Sequence, residues 1–154
     1  MVKKVLRFVR LPFLLLTLFA IGRFAVGANG VPYAPRGNAI FSIIALTYVS
    51  SIYFGALSRK VGGFTWGGTV LVGYTIGLYA QILIFVATWL SFAMGIENSY
   101  FRNPDALQQP LGTVVSMGVA MQTRLLGLVA GPIPVVVMAA IGRALSALAP
   151  EAEK

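Results

Sequence analysis

The sequence predicts an all-α integral membrane protein: a bundle of four transmembrane helices with a short extra helical segment on the outer side between the third and fourth. Three observations carry that expectation. Hydrophobic residues make up 58% of the chain and charged residues only 10%, whereas soluble domains carry about a quarter charged residues. The apolar residues gather into runs close to the roughly 20 residues that a helix needs to cross about 30 Å of hydrocarbon. The lysines and arginines collect at the flanks of those runs and mostly on one side, the pattern that sets membrane orientation.

The first run, residues 11–28, follows the basic segment Met1–Arg10. The same stretch also reads as a secretory signal, with Val26 and Ala28 at positions suited to cleavage. Cleavage would leave three spans in an unchanged orientation. The second run covers 39–57, the third and longest 69–95, and the fourth 125–148; together they form one transmembrane domain spanning 1–154. Between the first two lies a loop rich in Gly, Pro and Asn, and Ser58–Gly68 is a short basic connector in which Trp66 suits an interfacial anchor. Residues 97–123 form the outer-side segment. In it Asn103 is placed to cap a short helix starting at Pro104, and 112–122 suits an interfacial or a re-entrant helix.

The fourth run could be one span or two. Arg124 and Arg143 stand nineteen residues apart, about 28 Å along a helix, which matches the hydrocarbon thickness and lets both guanidinium groups reach an interface. Two spans would bury Arg124 at a cost of about 2.5–3.5 kcal/mol, so one span is expected. Pro132 and Pro134 then fall near its middle and remove the helical hydrogen bonds to the Leu128 and Ala130 carbonyls. The helix is expected to kink there and to turn the kink towards protein. Gly127 and Gly131 offer a small face for close approach of another helix.

With the N-terminus inside, Lys3, Lys4, Arg7, Arg10, Arg59, Lys60, Arg143 and Lys154 lie on the cytoplasmic side. Arg36 and Arg102 lie outside, with Arg23 and Arg124 near the outer boundary. Both termini are therefore expected in the cytoplasm, in a bacterial-type inner membrane.

The chain has no cysteine and no histidine, which excludes disulfides, thiolate nucleophiles, the usual zinc sites and a Ser-His-Asp triad. Its four acidic residues, Glu97, Asp105, Glu151 and Glu153, all fall outside the expected spans. No catalytic residue, metal site or cofactor is assigned. The net charge of +8 follows topology and lacks the interleaved reading residues of a nucleic-acid surface.

The leading expectation is a non-enzymatic accessory or structural subunit in the lipid bilayer, associating with other membrane subunits or as a homo-oligomer. The alternative is a small oligomeric transporter or channel. Its path would run near the Pro132–Pro134 kink and the polar centre of the third helix, marked by Tyr74, Tyr79 and Gln81. On the outer face Arg23, Glu97, Arg102 and Arg124 are candidates for an ion pair, Glu97 with Arg23 or Arg124, or for an anion site, because arginines bind phosphate and carboxylate well.

Overall fold

The computed structural model describes residues 1–31 and 41–148, and the regular structure in them is helical. In chain order the helices are α1 (Val2–Phe8), α2 (Arg10–Ala28), α3 (Ile43–Lys60), α4 (Trp66–Ala93), α5 (Met117–Ala130) and α6 (Pro132–Ser146). Two 3-10 turns, Tyr100–Arg102 and Asp105–Leu107, lie between α4 and α5. Asn103 Oδ1 accepts from the Asp105 amide at 3.0 Å, but the 3-10 turn starts at Asp105 with Pro104 as its N-cap, one residue after the expected start. Arg36 and the start of the 39–57 run lie outside the described residues.

Three helices are long and apolar enough to cross a membrane: Arg10–Ala28, Trp66–Ala93 and the pair α5–α6 taken together, Met117–Ser146. Helix α3 does not join them. Its 18 residues include Thr47, Tyr48, Ser50, Ser51, Tyr53 and Ser58 and end in Arg59-Lys60, which dilutes its apolar character. The fourth run also begins earlier than 125. Ser116 accepts from the Val119 amide and starts α5 at Met117, so residues 117–123 are its first turns and not a separate outer segment.

Helix α4 is the axis of the molecule and packs against α1, α2, α3, α5 and α6. Its buried face, with Val72, Ile76, Ala80, Ile84 and Ala87, continues into Leu16 and Ala20 of α2. At the end bearing the basic N-terminus, Val5 and Val9 are fully buried, and Phe8 meets Phe54 and Phe64 edge-on, each at 5.3 Å.

Helix α6 lies against both α3 and α4, and glycines set how close. A side-chain carbon on Gly55 of α3 would fall 2.7 Å from Ala139 Cα, and one on Gly142 of α6 2.8 Å from the Ile52 carbonyl carbon. On α4, one at Gly73 would lie 2.9 Å from Val136 Cα and one at Gly77 2.9 Å from Pro132 Cα. These contacts are backbone to backbone, the approach that small residues permit between membrane helices. Between them Ser51 Oγ donates to the Val135 carbonyl at 2.7 Å.

The turn between α5 and α6 is a bend inside one helix. Gly131 keeps helical angles, φ −59 and ψ −35, and its amide still donates to the Gly127 carbonyl at 2.8 Å. Pro132 and Pro134 occupy the first turn of α6, where the missing donors cost least. One bent span, as the arginine spacing implies, therefore replaces a two-span hairpin.

Gly55→Leu is expected to lower the melting temperature of the detergent-solubilised chain, by the equivalent of about 1–3 kcal/mol or more from overpacking. Gly118→Leu, at a glycine with open space around it, is expected to leave it nearly unchanged. Thermal unfolding of the two variants side by side checks the claim.

Candidate functional site: an arginine-lined cavity at the bend

The two arginines that frame the bent helix meet two threonines on the antiparallel helix α4. Arg143 Nη1 donates to Thr69 Oγ1 at 2.6 Å, and Arg124 Nε donates to Thr88 Oγ1 at 3.0 Å. Thr69 and Thr88 are nineteen residues apart, as are the arginines, so both pairs follow from one antiparallel register. Each threonine also donates to the carbonyl four residues back, Thr69 to Thr65 at 3.3 Å and Thr88 to Ile84 at 2.7 Å. That back-bond directs the hydroxyl proton along the helix and leaves a lone pair for the arginine.

The two arginines then differ. Arg143 is 9% exposed. Besides Thr69, its Nη1 donates to the Phe64 carbonyl at 2.9 Å, and its guanidinium lies 4.6 Å over the Trp66 ring. Ser58 completes the knot, 2.8 Å from Thr69 Oγ1 and donating to the Gly55 carbonyl at 2.6 Å. This arginine clamps α6 to α4 and to the α3–α4 connector, and α3 joins through Ser58 on Thr69.

Arg124 is only partly satisfied. Its Nη2 is buried and has no hydrogen-bond partner among the described residues. Arg124 also lines a cavity of about 380 Å³, walled by Gln81 and Ile84 of α4, by Gly127 of α5 and Gly131 at the bend, and by Ile44 at the start of α3. Tyr100, Ala106 and Gln108 of the 3-10 segment line it from the end remote from the basic N-terminus. The bend creates this space. Helix α6 is held on α3 by glycine contacts, whereas α5 packs on α4 and the 3-10 segment, so the wedge between α3 and α5 stays open.

Gln81 fits the wedge because Gly127 and Gly131 have no side chains. A carbon on Gly127 would lie 3.1 Å from Gln81 Oε1, and one on Gly131 would overlap the Gln81 amide nitrogen. The small face expected to receive a helix receives this side chain instead. Gln108 enters the cavity wall from a left-handed backbone, φ 56 and ψ 35; among the described residues it is the sole non-glycine with positive φ.

The other expected site residues are dispersed. Tyr79 stacks on Phe13 at 4.0 Å, and its hydroxyl lies 2.7 Å from Thr17 Oγ1, tying α4 to α2. Tyr74 is exposed on the outside of α4. Pro132 is buried against Gly77, and Pro134 is exposed. Arg23 is buried with its guanidinium 4.4 Å over Tyr100, and Arg102 lies 4.6 Å over Phe92. Glu97 is exposed. Gln81 and Arg124 are thus the two expected residues that the fold brings to one cavity. Gln108 joins them there, and the fully buried Thr88 holds Arg124. The nineteen-residue spacing shared by the arginines and threonines was the signal for Thr88, and nothing in the sequence marked Gln108.

Comparison with protein-family models, curated proteins and solved structures finds no match to this chain. The fold and cavity therefore define its class by themselves: an all-helical protein with three apolar helices of membrane-spanning length.

Arg143→Met removes the donor from two buried oxygens and is expected to destabilise the protein by about 2–4 kcal/mol, from roughly 1–3 kcal/mol per buried group left unsatisfied. Arg124→Met breaks one hydrogen bond and relieves one unpartnered donor, so its effect should be within about 1 kcal/mol of zero. Thermal unfolding in a neutral detergent reads the contrast.

Proposed function

We infer that the chain is a multi-pass protein of four spans, with α3 as the fourth, working as a non-catalytic accessory subunit beside other membrane proteins or a second copy of itself. The observation that carries this reading is the packed α3–α4–α6 core. Four of the hydroxyl residues that lower the hydropathy of α3, Thr47, Ser50, Ser51 and Ser58, are buried, and three are bonded there: Thr47 on the Ile43 carbonyl at 2.6 Å, Ser51 on Val135 and Ser58 on Gly55. The outward positions Ile44 and Val49 are apolar. A helix of 18 residues reaches about 27 Å, enough for the hydrocarbon layer. With the basic end cytoplasmic, in the manner of a bacterial inner membrane, both termini lie inside.

A chain without histidine or cysteine and with its carboxylates outside the helices of spanning length has no evident acid–base or nucleophilic machinery, which supports a binding role over an enzymatic one. The carrier reading keeps one observation in its favour. The cavity runs from Arg124 to Gln81 and Gly131, near the middle of the bent span. Beyond that depth the Gly77–Pro132 and Gly73–Val136 contacts close the interior, which favours a binding pocket over a conduit.

Because the chain lacks cysteine, single substitutions report topology directly. Asn98→Cys should react with a membrane-impermeant maleimide in intact cells, and Lys60→Cys only after permeabilisation; the reverse pattern overturns the orientation. Gentle detergent extraction is expected to give a complex or an oligomer, and a lone monomer without a partner refutes the subunit reading. Vesicles containing the purified chain should be as tight to ions and small solutes as empty ones. Flux abolished by Gln81→Ala would instead establish the carrier.

A further inference from the structure

We propose that the cavity between α3, α4 and α5 is a binding site for the oxyanion group, phosphate or carboxylate, of an anionic amphiphile, with Arg124 as its cation. The inference stands on the cavity and does not depend on a partner subunit.

A buried guanidinium nitrogen without an acceptor is costly, and native proteins rarely leave one so. Arg143 Nη1 shows that this fold can give one arginine nitrogen both a carbonyl and a hydroxyl oxygen. Arg124 Nη2 has neither among the described residues. The described residues lining its cavity include no carboxylate to balance the charge. An oxyanion in the cavity supplies that negative charge to Arg124, in the short, strong geometry that arginine favours.

The surroundings suit the same chemistry. Thr88 holds Nε and so fixes the plane of the guanidinium. Gln81 and Gln108 bring amide groups that donate to further anion oxygens. The volume, about 380 Å³, is that of a small-molecule pocket and exceeds the needs of a single water.

The apolar walls say what carries the oxyanion. Ile44 and Leu126 line the cavity and are 47% and 66% exposed on the outside of the molecule. Leu125 and Val129, also exposed, extend that apolar surface along α5. Arg124 and Arg143 stand about 28 Å apart along the bent helix, so with Arg143 at one headgroup layer Arg124 comes near the other. A molecule with its acidic head on Arg124 and its hydrocarbon between α3 and α5 satisfies both parts of the wedge.

The test uses the full chain in a neutral detergent and follows its melting temperature, since a ligand that binds the folded state raises it. The probes are a short-chain phosphatidylglycerol, the matching phosphatidylcholine, and inorganic phosphate. Phosphatidylglycerol is expected to raise the melting temperature saturably and phosphatidylcholine not. Arg124→Gln should weaken the effect about tenfold or more, while Arg102→Gln, whose guanidinium rests on Phe92, should retain it. Inorganic phosphate matching the lipid at equal concentration assigns the site to a water-soluble oxyanion; phosphate without effect assigns it to a lipid head. If Arg124→Gln does not fold, Gln81→Ala and Thr88→Val carry the same expectation. The proposal is overturned if no probe shifts the wild type, if the Arg124, Gln81 and Thr88 variants respond as the wild type does, or if Arg102→Gln loses the shift equally.

Discussion

Backbone contact between α6 and its two neighbours is the constraint on which the rest of the molecule depends. Gly55 and Gly142 bring α3 and α6 to van der Waals limits, and Gly73 and Gly77 do the same for α4 and α6. With no hydrophobic effect between helices in lipid, such contacts supply association through dispersion and through bonds like Ser51 to Val135. Once α6 is held this tightly, α5 has little freedom. It is joined to α6 through a single helical residue, Gly131, and the prolines after it prevent the two from forming one straight rod. Between α5 and the start of α3 a wedge stays open.

The register between the bent helix and α4 then determines what the wedge contains. Antiparallel helices that pair Arg143 with Thr69 must pair Arg124 with Thr88, because both spacings are nineteen residues. The same spacing approximates the hydrocarbon thickness. At the basic end Phe64, Trp66 and Ser58 crowd the arginine, and it is consumed by structure. At the other end the α3–α5 wedge replaces that crowding, and the second arginine retains a buried donor to spare. Equal spacing therefore gives unequal chemistry, and the difference comes from the bend.

Much of this was legible in the sequence, for physical reasons. Helix length against bilayer thickness fixes the large apolar runs, the arginine spacing selects one span over two, and the prolines mark the bend. The hydropathy of 39–57 was the harder reading, because a window average cannot tell a hydroxyl facing lipid from one bonded inside; Thr47, Ser51 and Ser58 are of the second kind. The polar centre of the third run was likewise divided by helical phase. Tyr79 turns to Phe13, Tyr74 turns outward and Gln81 turns to the bend, and periodicity without a partner helix leaves that division open. The start of α5 at Met117 was hidden because its first turns are only weakly apolar. Gln108 reaches the cavity through a backbone conformation that sequence alone does not announce.

Glycine at 127 and 131 shows how one sequence feature can serve a different end from the one it suggests. A pair four residues apart ordinarily marks helix on helix. Here the space is taken by Gln81, whose amide would collide with a side chain at 131. Had the pair served helix packing, α5 would lie on its neighbour and the wedge would be filled by backbone. Because it accommodates an uncharged polar side chain beside an arginine, the space stays polar on one wall while Ile44 and Leu126 keep the other apolar. An amphipathic cavity in a membrane helix bundle is unstable against collapse unless something on each side resists it. The glycine-locked α6 and the Thr88-anchored Arg124 are those two supports.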